Sequence, residues 1–187
     1  MKVTQIDHDL DRIIAPRSET RSKGLHVSDI YQKLYQSIDP NRYTEGEPNP
    51  YKLALGLAWE AHLEKVLEAS GAHAYRPDEL LSPEGIAYSP DLIIVNGSDH
   101  VGEIKLTFMM DSKSLDDPKF DKWLTQAKAY CYHLGIPRAR FYVLFVMGDY
   151  KKHRDPIMRV FDIEFSPREL TENWRTLLNF AKSRGMI

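Results

Sequence analysis

A chain of 187 residues, 42% hydrophobic and with a formal net charge of −2, is long enough to bury a core and falls in the size range of one domain. Its 25 Lys and Arg against 27 Asp and Glu exclude a protein that coats nucleic acid through bulk positive charge. One cysteine excludes an internal disulfide framework, and without a long apolar run or a basic-then-apolar leader neither a membrane span nor a secretory signal is expected, which points to a reducing cytoplasm.

The opening 25 or so residues are polar and read as an arm carrying Arg12, Arg17, Arg21 and Lys23. Residues 39–50, DPNRYTEGEPNP, are rich in turn formers and read as a loop. Pro50 to Ala69 then reads as an amphipathic helix with Leu53, Leu57 and Ala61 on its apolar face, and Ser70-Gly71 is a stop signal. Glu60, Glu64 and Glu68 recur at every fourth position, and Glu64 and Glu68 read as solvated charges. A glycine inside a helix costs about 1 kcal/mol relative to alanine, so close packing against a neighbouring element is expected at Gly56.

Tyr88 to Thr107, YSPDLIIVNGSDHVGEIKLT, carries the chemistry. Leu92 to Val95 is a short apolar run, Asn96 to Asp99 supplies turn residues, and strand composition resumes from His100 to Phe108. Glu103 and Lys105 are two apart and share one strand face, while Ile104 and Leu106 take the other. A loop centred on Gly97, or an even shift from it through a bulge, sets Asp91 on the face of Glu103; a two-residue Asn96-Gly97 turn points them apart. An odd-length loop or a bulge is therefore predicted. Paired carboxylates about 4.5–5.5 Å apart at Cβ repel unless a cation lies between them, and oxygen ligands suit Mg²⁺ or Mn²⁺. Lys105 is then placed to orient a water or to offset charge on a phosphate. The plain alternative is an exposed hairpin whose three charged residues are solvated.

Phe120 to Leu134 reads as a second helix that sets Gln126 and Tyr130 on one face and ends at Gly135-Ile136-Pro137. Lys113, Lys119 and Lys122 flank it, and Lys151-Lys152-His153-Arg154 forms another basic group; either set is a solvated loop or a phosphate contact. Arg140 to Met147 reads as a buried strand and Met158 to Phe165 as an alternating one. Ser166 to Ser183 reads as a terminal helix opened by a capping box of Ser166 and Glu169, with Pro167 at its first position. This order of elements implies an α/β arrangement around a mixed sheet.

Gly56-x-x-x-Glu60, Pro90-Asp91, Glu103-Ile104-Lys105 and Gln126-x-x-x-Tyr130, in that order, resemble the motifs of the PD-(D/E)XK nuclease superfamily. The resemblance is to its RecB-like exonuclease branch, which includes CRISPR-associated RecB-like and phage exonucleases. His26 to Ile30 is similar to the segment that opens those domains, so the resemblance runs from His26 to Val146. It implies a restriction-endonuclease-like core, a central mixed β-sheet flanked by helices, and divalent-metal-dependent exonuclease activity on linear DNA in repair, recombination or phage and CRISPR DNA processing. Asp91, Glu103 and the backbone carbonyl of Ile104 are implied to hold Mg²⁺ or Mn²⁺. Glu60 is implied to be a further acidic ligand or water-holder, Lys105 the catalytic lysine, and Gln126 and Tyr130 site supports or DNA-backbone contacts. Several RecB-like members carry histidine at the Glu60 position, which makes His62 a competitor; two residues away on a helix, it points elsewhere.

The iron-sulfur members use four cysteines, and Cys131 stands alone here, so no such cluster is expected. The implied partners are DNA, with a homo-oligomer or recombination or CRISPR proteins beyond it. An endonuclease on the same core and a non-catalytic nucleic-acid-binding adaptor are the other readings.

Overall fold

The structure is a computed structural model that describes residues 22–43, 49–95, 98–109, 115, 117–147 and 155–187. The expected arm with Arg12, Arg17 and Arg21, the Asn96-Gly97 turn, Lys113 and the Lys151 to Arg154 group lie outside the described residues. Helix α1, Val27–Ile38, opens where the His26 backbone N–H donates to the Asp29 carboxylate at 3.0 Å. Helix α2 spans Pro50–Ala69, with Asn49 as N-cap accepting from the Lys52 N–H at 3.1 Å. Short strands β1, Ala74–Tyr75, β2, Leu80–Leu81, and β3, Ala87–Tyr88, follow, of which β2 and β3 pair as a separate two-stranded sheet. The remaining elements are β4, Leu92–Ile94, β5, His100–Thr107, a 3₁₀ turn at Pro118–Phe120, α3, Asp121–Leu134, β6, Arg138–Phe145, β7, Ile157–Glu164, and α4, Pro167–Ser183.

The five-stranded sheet runs β1-β4-β5-β6-β7. Among the described strands of this sheet β5 and β6 are the parallel pair, and α3 provides the crossover that such a pair requires. The architecture is thus mixed α/β, with a central mixed sheet between helices. On one face α1, α3 and α4 enclose the larger core, into which Val101, Phe141, Val143 and Phe145 project with Leu177 and Trp174. On the other face Leu63 of α2, flanked by Trp59 and Leu67, packs on Leu92, Ile94, Ile104 and Tyr142.

The expected apolar face of α2 requires correction. Leu53 and Leu57 are each 39% exposed and Ala61 is exposed, whereas Leu63 is buried. Apolar residues are spread nearly all round this helix, so periodicity alone does not single out the face that meets the sheet.

The hairpin register agrees with an odd-length loop. Leu92 faces Gly102, Ile93 faces Val101 and Ile94 faces His100, a pairing centred on Gly97. Gly102 is needed for this closeness, since a Cβ there would sit 2.8 Å from that of Leu92. The α4 capping box is also present: Ser166 Oγ accepts from the Glu169 N–H at 3.2 Å, and the Ser166 N–H donates to the Glu169 carboxylate at 2.9 Å. Ser166→Ala should lower the unfolding free energy by about 1 kcal/mol in urea melts. Among the described residues no helix is long and apolar enough to cross a membrane.

Candidate active site

The site forms because β4 is shorter than β5. Pairing between them begins at Leu92 opposite Gly102, so from Glu103 onward β5 has its strand partner on the β6 side only. Pro90, fully buried and without an N–H to donate, brings the chain to this free edge, and continuing the register sets Asp91 opposite Glu103. There the Ile104 N–H donates to Asp91 Oδ2 at 2.7 Å, replacing the missing strand bond. In an extended strand the N–H and C=O of one residue point to the same side, so the Ile104 carbonyl also faces this edge.

Glu103 is completely buried, while Lys105 and Asp91 are each 15% exposed. Lys105 Nζ donates to Glu103 Oε2 at 2.5 Å and lies 3.6 Å from Asp91 Oδ2. The second carboxylate oxygen, Glu103 Oε1, is buried and has no hydrogen-bond partner among the described residues. Burial, with Asp91 and Glu60 adding repulsion against the pull of Lys105, pushes the Glu103 carboxyl up to about 8. Burial opposes the charge on Lys105, but Glu103 and Asp91 outweigh it and hold the ammonium well above the ordinary lysine range. Lys105 is therefore the fixed cation, and Glu103 is the group that takes up or gives up a proton.

Glu60 faces the same region from α2. Its carboxylate is 3.3 Å from the Arg76 guanidinium, which also grips Glu64, so Glu64 is ion-paired rather than simply solvated. Burial and then Asp91 raise the Glu60 carboxyl, against the lowering effect of Arg76. His62 is exposed, with its ring 5.9 Å from that of Trp59. Among the described residues no group of three or more His, Cys, Asp or Glu is gathered closely enough to cage a metal. The gathered set is two acids and a lysine, with Glu60 held toward Arg76.

Gln126 Nε2 donates to the Tyr130 hydroxyl at 2.9 Å, as their spacing on α3 allows. Both line a cleft of 460 Å³ with Pro90, Arg76, Ser28 and His26. Burial drives the Tyr130 phenol far up, and the Glu103 charge adds to this. Sequence reasoning missed Arg76 and Tyr31. Tyr31 of α1 approaches Gln126, donating at 3.5 Å, and feels the charges of Lys105, Glu103 and Asp91. Arg76 follows a two-residue strand with no periodicity to mark it, and Tyr31 lies in a segment read only by resemblance.

A buried carboxylate with one oxygen unpartnered among the described residues, beside a second carboxylate and a strand carbonyl facing the same edge, has the oxygen donors that a hard divalent cation takes. The solved structure of LHK-Exo, an alkaline exonuclease from Laribacter hongkongensis, aligns with a TM-score of 0.51 at 14% identity over 86% of this chain and 87% of that one. The chain shares the fold of that exonuclease. The same exonuclease in complex with dAMP aligns with a TM-score of 0.52, at 14% identity over 86% of this chain and 87% of that one. SSO0001 aligns at 13% identity over 90% of this chain and 81% of that one, with a TM-score of 0.46. No protein-family model matches the sequence, and no curated protein does.

Proposed function

We propose that this protein is a divalent-metal-dependent deoxyribonuclease that hydrolyses phosphodiester bonds from the ends of linear DNA. The observation that carries this reading is the completely buried Glu103 with one unpartnered oxygen, set beside Asp91 and Lys105 on an open strand edge. An isolated buried carboxylate is costly, and a structural ion pair alone leaves no reason for a second acid facing the same ammonium. Asp91, Glu103 and the Ile104 carbonyl would hold Mg²⁺ or Mn²⁺, with Glu60 as a further acidic group. A bound divalent cation supplies Lewis acidity toward a phosphoryl oxygen and acidifies a water. Lys105 presents a fixed positive charge that offsets charge developing on the phosphate. Gln126 and Tyr130 line the adjoining cleft and offer polar contacts to the DNA backbone. The shared fold with an alkaline exonuclease is compatible with the end-directed mode.

The test compares linear with closed-circular DNA under Mg²⁺ and Mn²⁺. Digestion confined to free ends is expected; nicked circles would make the protein an endonuclease, and no hydrolysis of either substrate would sink the catalytic reading. The role of Glu60 has its own test. Glu60→Ala should weaken metal-dependent cleavage by about tenfold or more, the scale seen when groups supporting a metal site are lost. His62→Ala should stay close to wild type, and the reverse pattern would transfer the role to His62.

A further inference from the structure

A second cleft, of 560 Å³, reaches the site from between α2 and the end of β5. Its α2 wall is Lys52, Gly56 and Glu60, three residues spaced four apart and so on one helix face. Ile104 and Lys105 form its β5 side, and Phe108 stands where the chain leaves the strand. Its volume is within the range of about 300–1,000 Å³ typical of ligand sites.

Gly56 does not pack closely against anything, contrary to the expectation from its place in a helix. A Cβ built there meets nothing within 4 Å. The residue gives up helix propensity without a packing return. What it does provide is open space in the wall of this cleft, where any larger side chain would project. Phe108 is 40% exposed, and the Lys52 ammonium sits 5.3 Å from its ring centroid. An aromatic face, a cation on a long side chain beside it, and Lys105 further in are complementary to a planar base joined to a phosphate.

We infer that this cleft is a subsite for one nucleotide next to the cleaved phosphodiester, its base stacked on Phe108, its phosphate met by Lys52, and its entry permitted by Gly56. The inference rests on the nuclease reading and adds a substrate requirement to it. A base lying on Phe108 has left its neighbour on that side, so the strand reaches the site single-stranded or frayed. On binding, the base takes the ring face from the Lys52 ammonium, which turns to the adjoining phosphate.

The experiment measures binding of a fluorescently labelled single-stranded oligodeoxynucleotide to the full chain, with Ca²⁺ in place of Mg²⁺, together with thermal melts of each variant. Phe108→Ala should weaken binding about tenfold, the scale of one lost base–aromatic stack, and Phe108→Tyr should restore it. Lys52→Ala should reduce the salt dependence of log affinity by about 0.7, the loss of one phosphate contact on a single strand. Gly56→Leu should weaken binding while melting no lower than wild type, because leucine is the better helix former. If the Gly56 variant binds and melts poorly together, the Phe108 pair decides alone. A wild type that binds while Phe108→Ala, Lys52→Ala and Gly56→Leu all bind equally well would overturn the subsite and leave the nuclease reading standing. A wild type that neither binds nor cleaves DNA would overturn both.

Discussion

Glu103→Gln will lower cleavage by at least about a hundredfold, the scale of removing one electrostatic stabiliser, and will flatten the pH dependence of stability of the metal-free protein. The usual carboxyl value of 4.5 is raised to about 8 by burial and by Asp91. The folded chain therefore keeps a proton that the unfolded chain releases, so the contribution of Glu103 to stability is full below 4.5, falls as the pH rises and levels off beyond about 8. Glutamine has the same shape, cannot titrate and removes that fall. Mn²⁺ should raise the melting temperature of the wild type, and raise it most at high pH where Glu103 is ionised, but should do little for the variant. A wild-type melting temperature indifferent to Mn²⁺, or full cleavage by the variant, would remove Glu103 from the site. Asp91→Ala should likewise abolish cleavage, and it also frees the Ile104 N–H that Asp91 accepts from at 2.7 Å.

Lys105→Ala should lose kcat by about 10²–10³-fold while its Mn²⁺ affinity is kept or increased. The ammonium touches Glu103 at 2.5 Å and stands 3.6 Å from Asp91, so it opposes a second cation at the same oxygens. Removing it also leaves two acids without their counter-charge, and the metal-free variant should melt below wild type and be rescued by Mn²⁺. Isothermal titration with Mn²⁺ separates the roles. Loss of metal affinity together with activity would make Lys105 a scaffold for the carboxylates rather than a participant in catalysis.

The part of the site carried by strand alternation was legible in the residues themselves. Glu103 and Lys105 share a face because the period of a strand is two, and the β4–β5 register, continued by one pair, sets Asp91 across from Glu103. The helix bearing Gln126 and Tyr130, and the capping box of α4, were legible for the same local reason. Three features were not. The orientation of α2 is set by which of its many apolar residues finds the sheet, a tertiary outcome that left Leu63 inside and Leu53 outside. Arg76 meets Glu60 and Glu64 through folding of a segment with no repeating pattern. The strands β2 and β3, of two residues each, are too short for alternation to show, whereas α1, which supplies Tyr31, does carry helical apolar spacing at Val27, Ile30, Tyr31 and Leu34.

The parallel pairing of β5 with β6 has a consequence for when the molecule acquires its chemistry. The two acids and the lysine lie within fifteen residues of one another, yet the strand that supports Glu103 and Lys105 from the other side is the later Arg138–Phe145. Antiparallel hairpins close quickly, whereas a parallel partner separated by a helix closes late, because the intervening chain must first be ordered. A nascent chain that has not yet made β6 carries Asp91, Glu103 and Lys105 but no platform to hold them, so the cluster forms only after that strand has been added.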